Sequence, residues 1–321
     1  MINSPPYSLS GKRIWVCGHN GMVGSAIVRR LQNEENVDIL TTERSEVDLV
    51  DQASVQTWVS QNKPDAIFLA AAKVGGIHAN NSYPADFIYL NTMIAANVIH
   101  AAYKNAVEKL LFLGSSCIYP KMAPQPIKED ALLTGPLEPT NQWYAIAKIS
   151  GIMMAQAYRV QYGCDFISAM PTNLYGPNDN FHMENSHVIP AIIQKVHKAK
   201  INNEPTIEIW GTGKIHREFM HADDCADGLV FLMKNYSQPD HINLGAGDDV
   251  TILELTETIM RVVGYEGEIV HDLTKPDGPP KKMMDNSKLS SMGWSPHYRL
   301  EKGLRHAYDW FLGNVDHLRK S

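Results

Sequence analysis

The sequence of 321 residues predicts an α/β protein built on a doubly wound parallel Rossmann sheet, with a smaller C-terminal α/β substrate lobe. Three observations lead to this prediction. Strands and helices alternate along the first half of the chain, the strands are continuous apolar runs, and a glycine-rich turn joins the first strand to the first helix. Continuous apolar strands are typical of a parallel sheet that helices cover on both faces. Right-handed connections then give the doubly wound arrangement.

The first half of the chain divides into strands and helices in a regular order. The segment RIWVCGHNGMVGSAIVRRLQ contains the first strand and helix, and NVDILTTE is a second, short strand that we expect to end at Arg44. A helix and a proline-marked break lead to a buried strand from Ala66 to Leu69. Two long helices, in DFIYLNTMIAANVIHAAYKNAV and NQWYAIAKISGIMMAQAYRVQYG, precede the strands KLLFLGSS and DFISAMPTN.

The regular alternation ends near residue 180. The chain beyond this point is rich in loops and carries many His, Asp and Lys residues. We therefore expect a nucleotide-binding domain over 1–180 and a substrate-binding lobe over 181–321. A crevice between them would lie outside the carboxyl ends of the strands, where open α/β sheets bind ligands.

The glycine-rich turn has the spacing GxxGxxG, directly after a strand and at the start of a helix. Glycines there let the backbone approach a pyrophosphate, which binds at the amides of the helix N-terminus. The alternative is a tight turn without a ligand, but the strand and helix context favours a dinucleotide site. The residues expected to bind the cofactor at this turn are Gly18, His19, Asn20, Gly21, Met22, Val23 and Gly24.

The end of the second strand predicts which cofactor is bound. An NAD enzyme places an acidic side chain there, about twenty residues after the glycine turn, whereas an arginine suits the 2′-phosphate of NADP. This chain has Glu43 followed by Arg44. We expect Arg44 to bind the phosphate and Asp48 to hold the adenine, which predicts NADP. The alternative for Arg44 is a surface residue without a ligand.

A Tyr and a Lys on one helix face form the candidate reductase site. Tyr144 and Lys148 have i, i+4 spacing, and Ser115 ends the fourth strand. A free tyrosine has a pKa near ~10, and we expect the Lys148 ammonium to lower the pKa of Tyr144 toward neutrality. Ser115 can hydrogen-bond a substrate carbonyl, and Lys148 can hold the nicotinamide ribose.

Together, GxxGxxG, Ser115 and YxxxK resemble the extended short-chain dehydrogenase/reductase family. Longer strings are similar to one branch of it, the 3,5-epimerase-4-reductases that act on GDP-4-keto-6-deoxy-mannose. This similarity extends from about Arg13 to the C-terminus. The strings that carry it are GHNGMVGSAIVR, LAAAKVGGIHANN, LGSSCIYPK, EPTNQWYAIAKI, MPTNLYGPNDNF, NSHVIPA and HINLG.

The resemblance implies an enzyme that epimerises GDP-4-keto-6-deoxy-D-mannose at C3 and C5 and then reduces the C4 ketone with NADPH. Cys117 and His187 match the family's epimerase pair, and thiol and imidazole groups titrate close enough to neutrality for this task. Tyr144 and Ser115 would stabilise the enolate oxygen, and Tyr144 would then protonate the alkoxide. Without the resemblance, Cys117 would be interpreted as a small buried apolar group and His187 as a loop residue.

The resemblance also supplies further binding residues. The cofactor set includes Leu113, Gly114, Ser115, Ser116, Lys148, Pro171, Thr172, Asn173, Leu174 and His187. The nucleotide-sugar set is Asn173, Lys195, Trp210, Arg217 and Asp277. One departure concerns the glycine turn, where bacterial members carry an arginine that helps hold the 2′-phosphate and this chain has Asn20. Arg44 would therefore carry that role more alone.

Composition and charge restrict the possible functions. The chain has a net charge of −6, and it contains both acidic and basic residues in number. Its four cysteines have neither the paired spacing nor the spacing of metal ligands. We expect no nucleic-acid partner, no membrane association and no metal, and a cytoplasmic location. The family forms homodimers, so we expect one, with the Tyr144 helix in the contact. Two alternatives stay open: the same chemistry on a related GDP-4-keto sugar, as in GDP-L-colitose synthesis, and a non-catalytic NADP-binding sensor.

Overall fold

The computed structural model describes residues 6–181, 186–275, 277–315 and 318. Strands and helices alternate over its first half, in the predicted order. The strands are β1 (Arg13–Cys17), β2 (Asp38–Leu40), β3 (Ala66–Leu69), β4 (Lys109–Leu113) and β5 (Asp165–Pro171). The helices are α1 (Met22–Leu31), α2 (Gln52–Asn62), α3 (Ile77–Ser82), α4 (Pro84–Lys104) and α5 (Gln142–Tyr162), with single 3₁₀ turns at Ser116–Ile118 and Glu129–Ala131.

The rest of the chain has shorter strands between its helices. These strands are β6 (Asn173–Tyr175), β7 (Thr206–Trp210), β8 (His216–Arg217), β9 (Phe219–His221), β10 (Ile242–Leu244), β11 (Val250–Thr251), β12 (Glu268–Asp272) and β13 (Lys281–Lys282). The helices are α6 (Val188–Asn202), α7 (Ala222–Asn235), α8 (Ile252–Val263), α9 (Ser287–Ser291) and α10 (Leu300–Asn314). None of the helices in the described ranges combines the length and apolarity needed to cross a bilayer.

Six strands form one parallel sheet in the order β10-β5-β4-β3-β1-β2. Strands β3 and β4 are buried along their whole length. One apolar cluster joins the sheet to α1 and α7, a second joins it to α2, α4 and α5, and a third lies among α6, α8 and α10. The predicted doubly wound sheet is confirmed, and its sixth strand, β10, comes from beyond residue 180. The division into 1–180 and 181–321 stays a prediction.

The second strand is shorter than expected. Strand β2 ends at Leu40 and not at Arg44, because the backbone turns at Glu43. The Glu46 carboxylate accepts the Glu43 N–H at 2.9 Å, and the Glu43 carbonyl accepts N–H groups from Glu46 and Val47. This turn brings the Glu43 side chain beside the glycine turn after β1.

Candidate active site

The glycine turn after β1 allows a close approach of backbone to backbone. Gly18 has φ +84°, and a Cβ there would lie 2.8 Å from the Cα of Ala71. A Cβ on Gly24 would lie 2.1 Å from the Gly18 carbonyl oxygen. Gly21 begins α1 without a side-chain cap, so the first helical amides have no side chain of their own to satisfy them. These residues fit a pyrophosphate, since a helix N-terminus and close backbone approach are what such a group requires.

The side chains of the glycine turn contact the turn after β2. The Asn20 Nδ2 donates to both carboxylate oxygens of Glu43, at 3.0 and 2.9 Å, and His19 Nε2 lies 3.3 Å from Glu43 Oε1. Arg44 is exposed. Asp48 accepts the Val50 N–H at 3.1 Å, a local turn bond that leaves its second oxygen for other contacts. The proposed adenosine end of the site therefore contains both an acid and a guanidinium.

Ser115, Cys117 and Tyr144 meet at the carboxyl end of β4. The Tyr144 hydroxyl hydrogen-bonds the Ser115 side chain, and Ser115 Oγ also accepts the Cys117 N–H at 3.3 Å. Desolvation and the nearby Cys117 raise the pKa of Tyr144, and the bond to Ser115 acts in the opposite direction. Phe87 packs edge-on against the Tyr144 ring, with centroids 6.2 Å apart. The Ser115 hydroxyl thus joins the Tyr144 side chain to the Cys117 backbone, and the Cys117 thiol is near enough to act on the pKa of Tyr144.

Lys148 does not act on Tyr144 as we expected. Its Nζ donates to the Leu113 carbonyl at 2.7 Å and lies 5.7 Å from the Tyr144 ring centroid. Burial lowers the pKa of Lys148 to about 7, because the low-polarity surroundings disfavour the ammonium. The expectation that Lys148 lowers the pKa of Tyr144 is wrong for the cofactor-free protein, in which that pKa is raised. Tyr144 is therefore a neutral phenol in the cofactor-free protein.

Two further side chains contact the Cys117 sulfur, and sequence reasoning missed both. Asn141 Nδ2 lies 3.4 Å from Cys117 Sγ, and Lys282 Nζ lies 3.9 Å from it. An amide donor and an ammonium stabilise negative charge on sulfur. Asn141 stands just before the Tyr144 helix and could have been found by helical spacing. Lys282 is distant in sequence, and the parallel pairing of β13 with β8 brings it here.

His187 precedes α6 and is tied to the loop after β3. Its ring donates a hydrogen bond to the Gly75 backbone, and Asn80 Nδ2 donates to the same carbonyl at 2.7 Å. Desolvation lowers the pKa of His187 from its usual value, and the bond to Gly75 acts in the opposite direction. Asn91 anchors the same loop by bonding both the N–H and the carbonyl of Lys73, at 2.8 and 3.0 Å. The imidazole is therefore held by a fixed loop and favours its neutral form.

The other predicted cofactor residues lie where β4 and β5 end. Gly114 is packed so closely that a Cβ would lie 2.2 Å from the sulfur of Met170. Thr172 Oγ1 and Asn173 Nδ2 both donate to the Glu218 carbonyl, at 3.3 and 2.9 Å. Their positions at the carboxyl ends of neighbouring parallel strands bring these residues to the edge that also holds Gly18 and Ser115. The remaining members of this set are Leu113, Ser116, Pro171 and Leu174.

Trp210 and Arg217 end β7 and β8, and Lys195 of α6 and Asp277 contact β7 and the loop between these strands. Lys195 Nζ donates to the Glu208 carbonyl at 2.5 Å, and Trp210 exposes 66% of its surface. Asp277 accepts the Thr212 N–H and hydroxyl, at 3.0 and 2.8 Å. Desolvation lowers the pKa of Arg217, and the carboxylate of Asp277 opposes this shift. Asn173 lies on β6. Its bond to the carbonyl of Glu218 brings it close to Arg217, which directly precedes Glu218 in the chain.

A buried carboxylate joins the segment after β8 to the loop after β10 and to the segment after β13. Glu218 has no exposed surface, and its side chain accepts N–H groups from Gly247 and Met284, both at 3.0 Å. Its backbone N–H donates to the Lys282 carbonyl at 3.4 Å. Sequence reasoning did not single out Glu218. Its contacts connect the Arg217 strand, the loop after β10 and the segment that carries Lys282.

His221, Asp223 and His306 place ligand-type atoms within 4.8 Å of one another. His221 Nδ1 accepts the Asp223 N–H at 3.1 Å and so caps α7. His221 Nε2 lies 3.2 Å from His306 Nδ1, and Asp223 forms an ion pair with Arg29. Burial lowers the pKa of His221 to about 4. His221 is therefore used to cap α7, and Asp223 is already paired with Arg29.

Comparison with known proteins supports the assignment of this chain to a family. Residues 14–245 match the family model described as the NAD dependent epimerase/dehydratase family. The chain belongs to this family. Within the family, it is 58% identical over 316 residues to GDP-L-fucose synthase 1 of Arabidopsis thaliana, with 98% of each chain covered.

Two further proteins are similar to this chain. A GDP-L-colitose synthase of Yersinia pseudotuberculosis is 39% identical over 302 residues, covering 94% of this chain and 98% of its own. The crystal structure of a GDP-L-fucose synthetase from Naegleria fowleri bound to NADP superposes with a TM-score of 0.91, at 28% identity and full coverage of both chains. The family assignment confirms the predicted resemblance, and the roles of the individual site residues stay predictions.

Proposed function

We propose that this protein is a GDP-L-fucose synthase, which converts GDP-4-keto-6-deoxy-D-mannose to GDP-L-fucose with NADPH. The observation that carries the proposal is the contact group of Ser115, Cys117 and Tyr144, because it joins a proton donor for a ketone to a thiol suited to proton transfer at carbon. A reductase alone needs Ser115, Tyr144 and Lys148. The thiol is the additional element that an epimerase requires.

NADP(H) fits the glycine turn, and it supplies the hydride for the C4 ketone. Gly18 and Gly24 let the backbone pack closely at this turn, the amides at the start of α1 would bind the pyrophosphate, and Arg44 would pair with the 2′-phosphate. Lys148 lies below the ring of Tyr144 and holds the nicotinamide ribose. Its pKa of about 7 gives it a substantial neutral fraction until anionic ligands restore the ammonium.

Epimerisation uses the acidity of carbons next to a carbonyl. One of Cys117 and His187 takes a proton from C3 or C5 on one face of the sugar, the other returns a proton to the opposite face, and exchange with solvent restores both side chains. Ser115 and Tyr144 hydrogen-bond the C4 oxygen and stabilise the negative charge that develops on it. Lys282 Nζ and Asn141 Nδ2 lie beside the Cys117 sulfur, at 3.9 and 3.4 Å.

Reduction then uses the same C4 oxygen. Tyr144 protonates this oxygen as the hydride adds to C4, and the hydrogen bond from Ser115, which lowers the Tyr144 pKa, favours release of that proton. Thus one hydroxyl serves both half-reactions. On the nucleotide side, Lys195 and Arg217 neutralise the diphosphate, Trp210 covers the guanine or sugar face, and Asn173 and Asp277 bind the sugar and ribose hydroxyls.

The choice of fucose over colitose rests on similarity. Identity is 58% to a GDP-L-fucose synthase and 39% to a GDP-L-colitose synthase, over nearly the full chain in both cases. The test is to incubate purified protein with GDP-4-keto-6-deoxy-D-mannose and NADPH and to determine the product by NMR. GDP-L-fucose is expected. A product that keeps the starting configuration at C3 and C5, or no turnover, would contradict the proposal.

The enzyme acts as a cytoplasmic homodimer, with α5 in the contact. This helix exposes residues at intervals of three and four, of which Trp143, Ile146, Met153 and Val160 are large and apolar. Such a stripe on one helix face is the pattern of a helix–helix seam. Val160 exposes 83% of its surface in the single chain, so a second copy would cover a continuous apolar face.

A further inference from the structure

The adenosine end of the cofactor site contains an acid that NADP does not need. Glu43 stands after β2, where an acidic side chain binds the ribose 2′-hydroxyl in NAD enzymes. An arginine that binds a 2′-phosphate occupies this region in NADP enzymes. Here Glu43 and Arg44 are adjacent.

Contacts with the glycine turn settle the direction of the Glu43 carboxylate. Asn20 donates to both of its oxygens, at 3.0 and 2.9 Å, and His19 Nε2 approaches Oε1 at 3.3 Å. Both partners belong to the turn that fits the pyrophosphate. In a dinucleotide the ribose joins the pyrophosphate to the adenine, so a carboxylate fixed to this turn would lie beside the ribose.

The Glu43 carboxylate is fixed but still able to accept hydrogen bonds. Its side chain is 58% exposed, and an ionised carboxylate has about four lone-pair positions. The backbone of Glu43 is fixed as well, because its N–H donates to the Glu46 carboxylate at 2.9 Å. A fixed acceptor binds a ribose hydroxyl without the cost of ordering a mobile side chain.

The charges of residues 43–48 also disfavour the selective binding of a 2′-phosphate. Glu43, Glu46 and Asp48 carry negative charge within six residues, and Arg44 is the one cation among them. A 2′-phosphate would gain a pair with Arg44 but would be repelled by the Glu43 carboxylate next to it. A ribose diol would gain a hydrogen bond and meet no repulsion.

We propose that Glu43, held by Asn20 and His19, is a specificity-determining residue that accepts the ribose 2′-hydroxyl of NAD(H), so that NADH is a second working cofactor beside NADPH. This inference rests on the proposed function only in that a nicotinamide dinucleotide is bound. Arg44 and Glu43 act in opposite directions: the guanidinium favours the phosphorylated cofactor and the carboxylate favours the unphosphorylated one.

The test is calorimetric titration of the full chain with NADP⁺ and with NAD⁺, in the absence of any sugar. The readout is the ratio of the two dissociation constants, Kd for NAD⁺ over Kd for NADP⁺. In Glu43→Gln this ratio should rise roughly tenfold, because the charged acceptor of the ribose hydroxyl and the repulsion of the phosphate are both lost. In Arg44→Ala it should fall by a similar factor, because only the phosphate loses a partner.

Glu35→Gln is the matched control, since Glu35 is an exposed acid in the turn after α1, and its ratio should equal that of the wild type. A Glu43→Gln ratio that equals the wild-type value, or is lower, would overturn the proposal. Because no sugar is present, this outcome is independent of whether the protein makes GDP-L-fucose. A protein that shows the expected ratios but forms no fucose would contradict the proposed function alone.

Discussion

The Lys282 ammonium lies 3.9 Å from the sulfur of Cys117, although the two residues are far apart in sequence. The first prediction follows from this contact. Lys282→Met should slow alkylation of Cys117 by iodoacetamide about tenfold at neutral pH, since a charge pair near 4 Å contributes about 1–4 kcal/mol. The rate is to be followed at this residue by peptide mass spectrometry, because the other thiols react separately.

Lys282→Arg should keep most of the alkylation rate, because it keeps the charge. Lys281→Met is the matched control, since Lys281 is adjacent but pairs with Asp249 at 2.9 Å. Equal alkylation rates in Lys282→Met and the wild type would mean that the ammonium does not support the thiolate.

The second prediction concerns the buried Lys148 and the pH dependence of stability. Its pKa is about 7 in the folded chain against a usual value of 10.5, so between these limits the unfolded chain binds one proton more. The free energy of unfolding therefore rises with pH over this window. The destabilisation caused by burying the ammonium is greatest below it. Lys148→Met should stabilise the cofactor-free protein at pH 7 by on the order of a few kcal/mol, less the lost bond to Leu113.

This stability difference should shrink between pH 7 and pH 10, as measured by thermal unfolding. Lys104→Met, at the exposed end of α4, should show no such trend. A difference between Lys148→Met and the wild type that does not change with pH would contradict the assignment of a buried, largely neutral amine.

The third prediction separates the two half-reactions. Tyr144→Phe keeps the ring and its edge-on contact with Phe87 but removes the proton donor. Reduction should fall roughly 10²–10⁴-fold, the usual contribution of a general acid. Cofactor affinity, measured by titration, should stay within about twofold of the wild type, since Tyr144 is not among the phosphate-binding groups. Reduction at a tenth of the normal rate would require another proton donor.

Much of the sheet and of the catalytic group was predictable, because both depend on local patterns. The glycine turn, the buried strands and the Tyr144 helix have their determinants within a few residues of one another. The predicted end of β2 was too late, because the strand ends before the Glu43 turn. The hydrogen bonds of that turn to Glu46 leave no trace in an apolar pattern. Lys282 was missed because the pairing of β13 with β8 brings it to Cys117.

The direction of the Tyr144 pKa could not be read from the spacing of Tyr144 and Lys148. Spacing places both residues on one helix face, but it does not give the burial that lowers the pKa of Lys148 and raises that of Tyr144. Desolvation depends on packing against β4 and α4, which the sequence does not describe.

The fourth prediction tests the apolar face of α5. Ile146→Glu combined with Met153→Glu should convert a dimer into a monomer, because two charges would have to be buried in the helix–helix contact. Molar mass from light scattering measures this directly. Leu312→Glu, an exposed apolar residue on α10, is the control and should leave the mass unchanged. A wild-type protein that is already monomeric at micromolar concentration would contradict the proposed contact.

The central claim is that Cys117 and His187 move protons at C3 and C5 without any reduction. The direct measurement is incubation of GDP-4-keto-6-deoxy-D-mannose with the enzyme and oxidised cofactor in heavy water, followed by NMR of the sugar. The wild type should incorporate deuterium at both carbons. Cys117→Ser should stop the exchange, and His187→Gln should impair it at one position or both. Normal deuterium uptake by Cys117→Ser would contradict the mechanism and leave the cysteine as a packing residue.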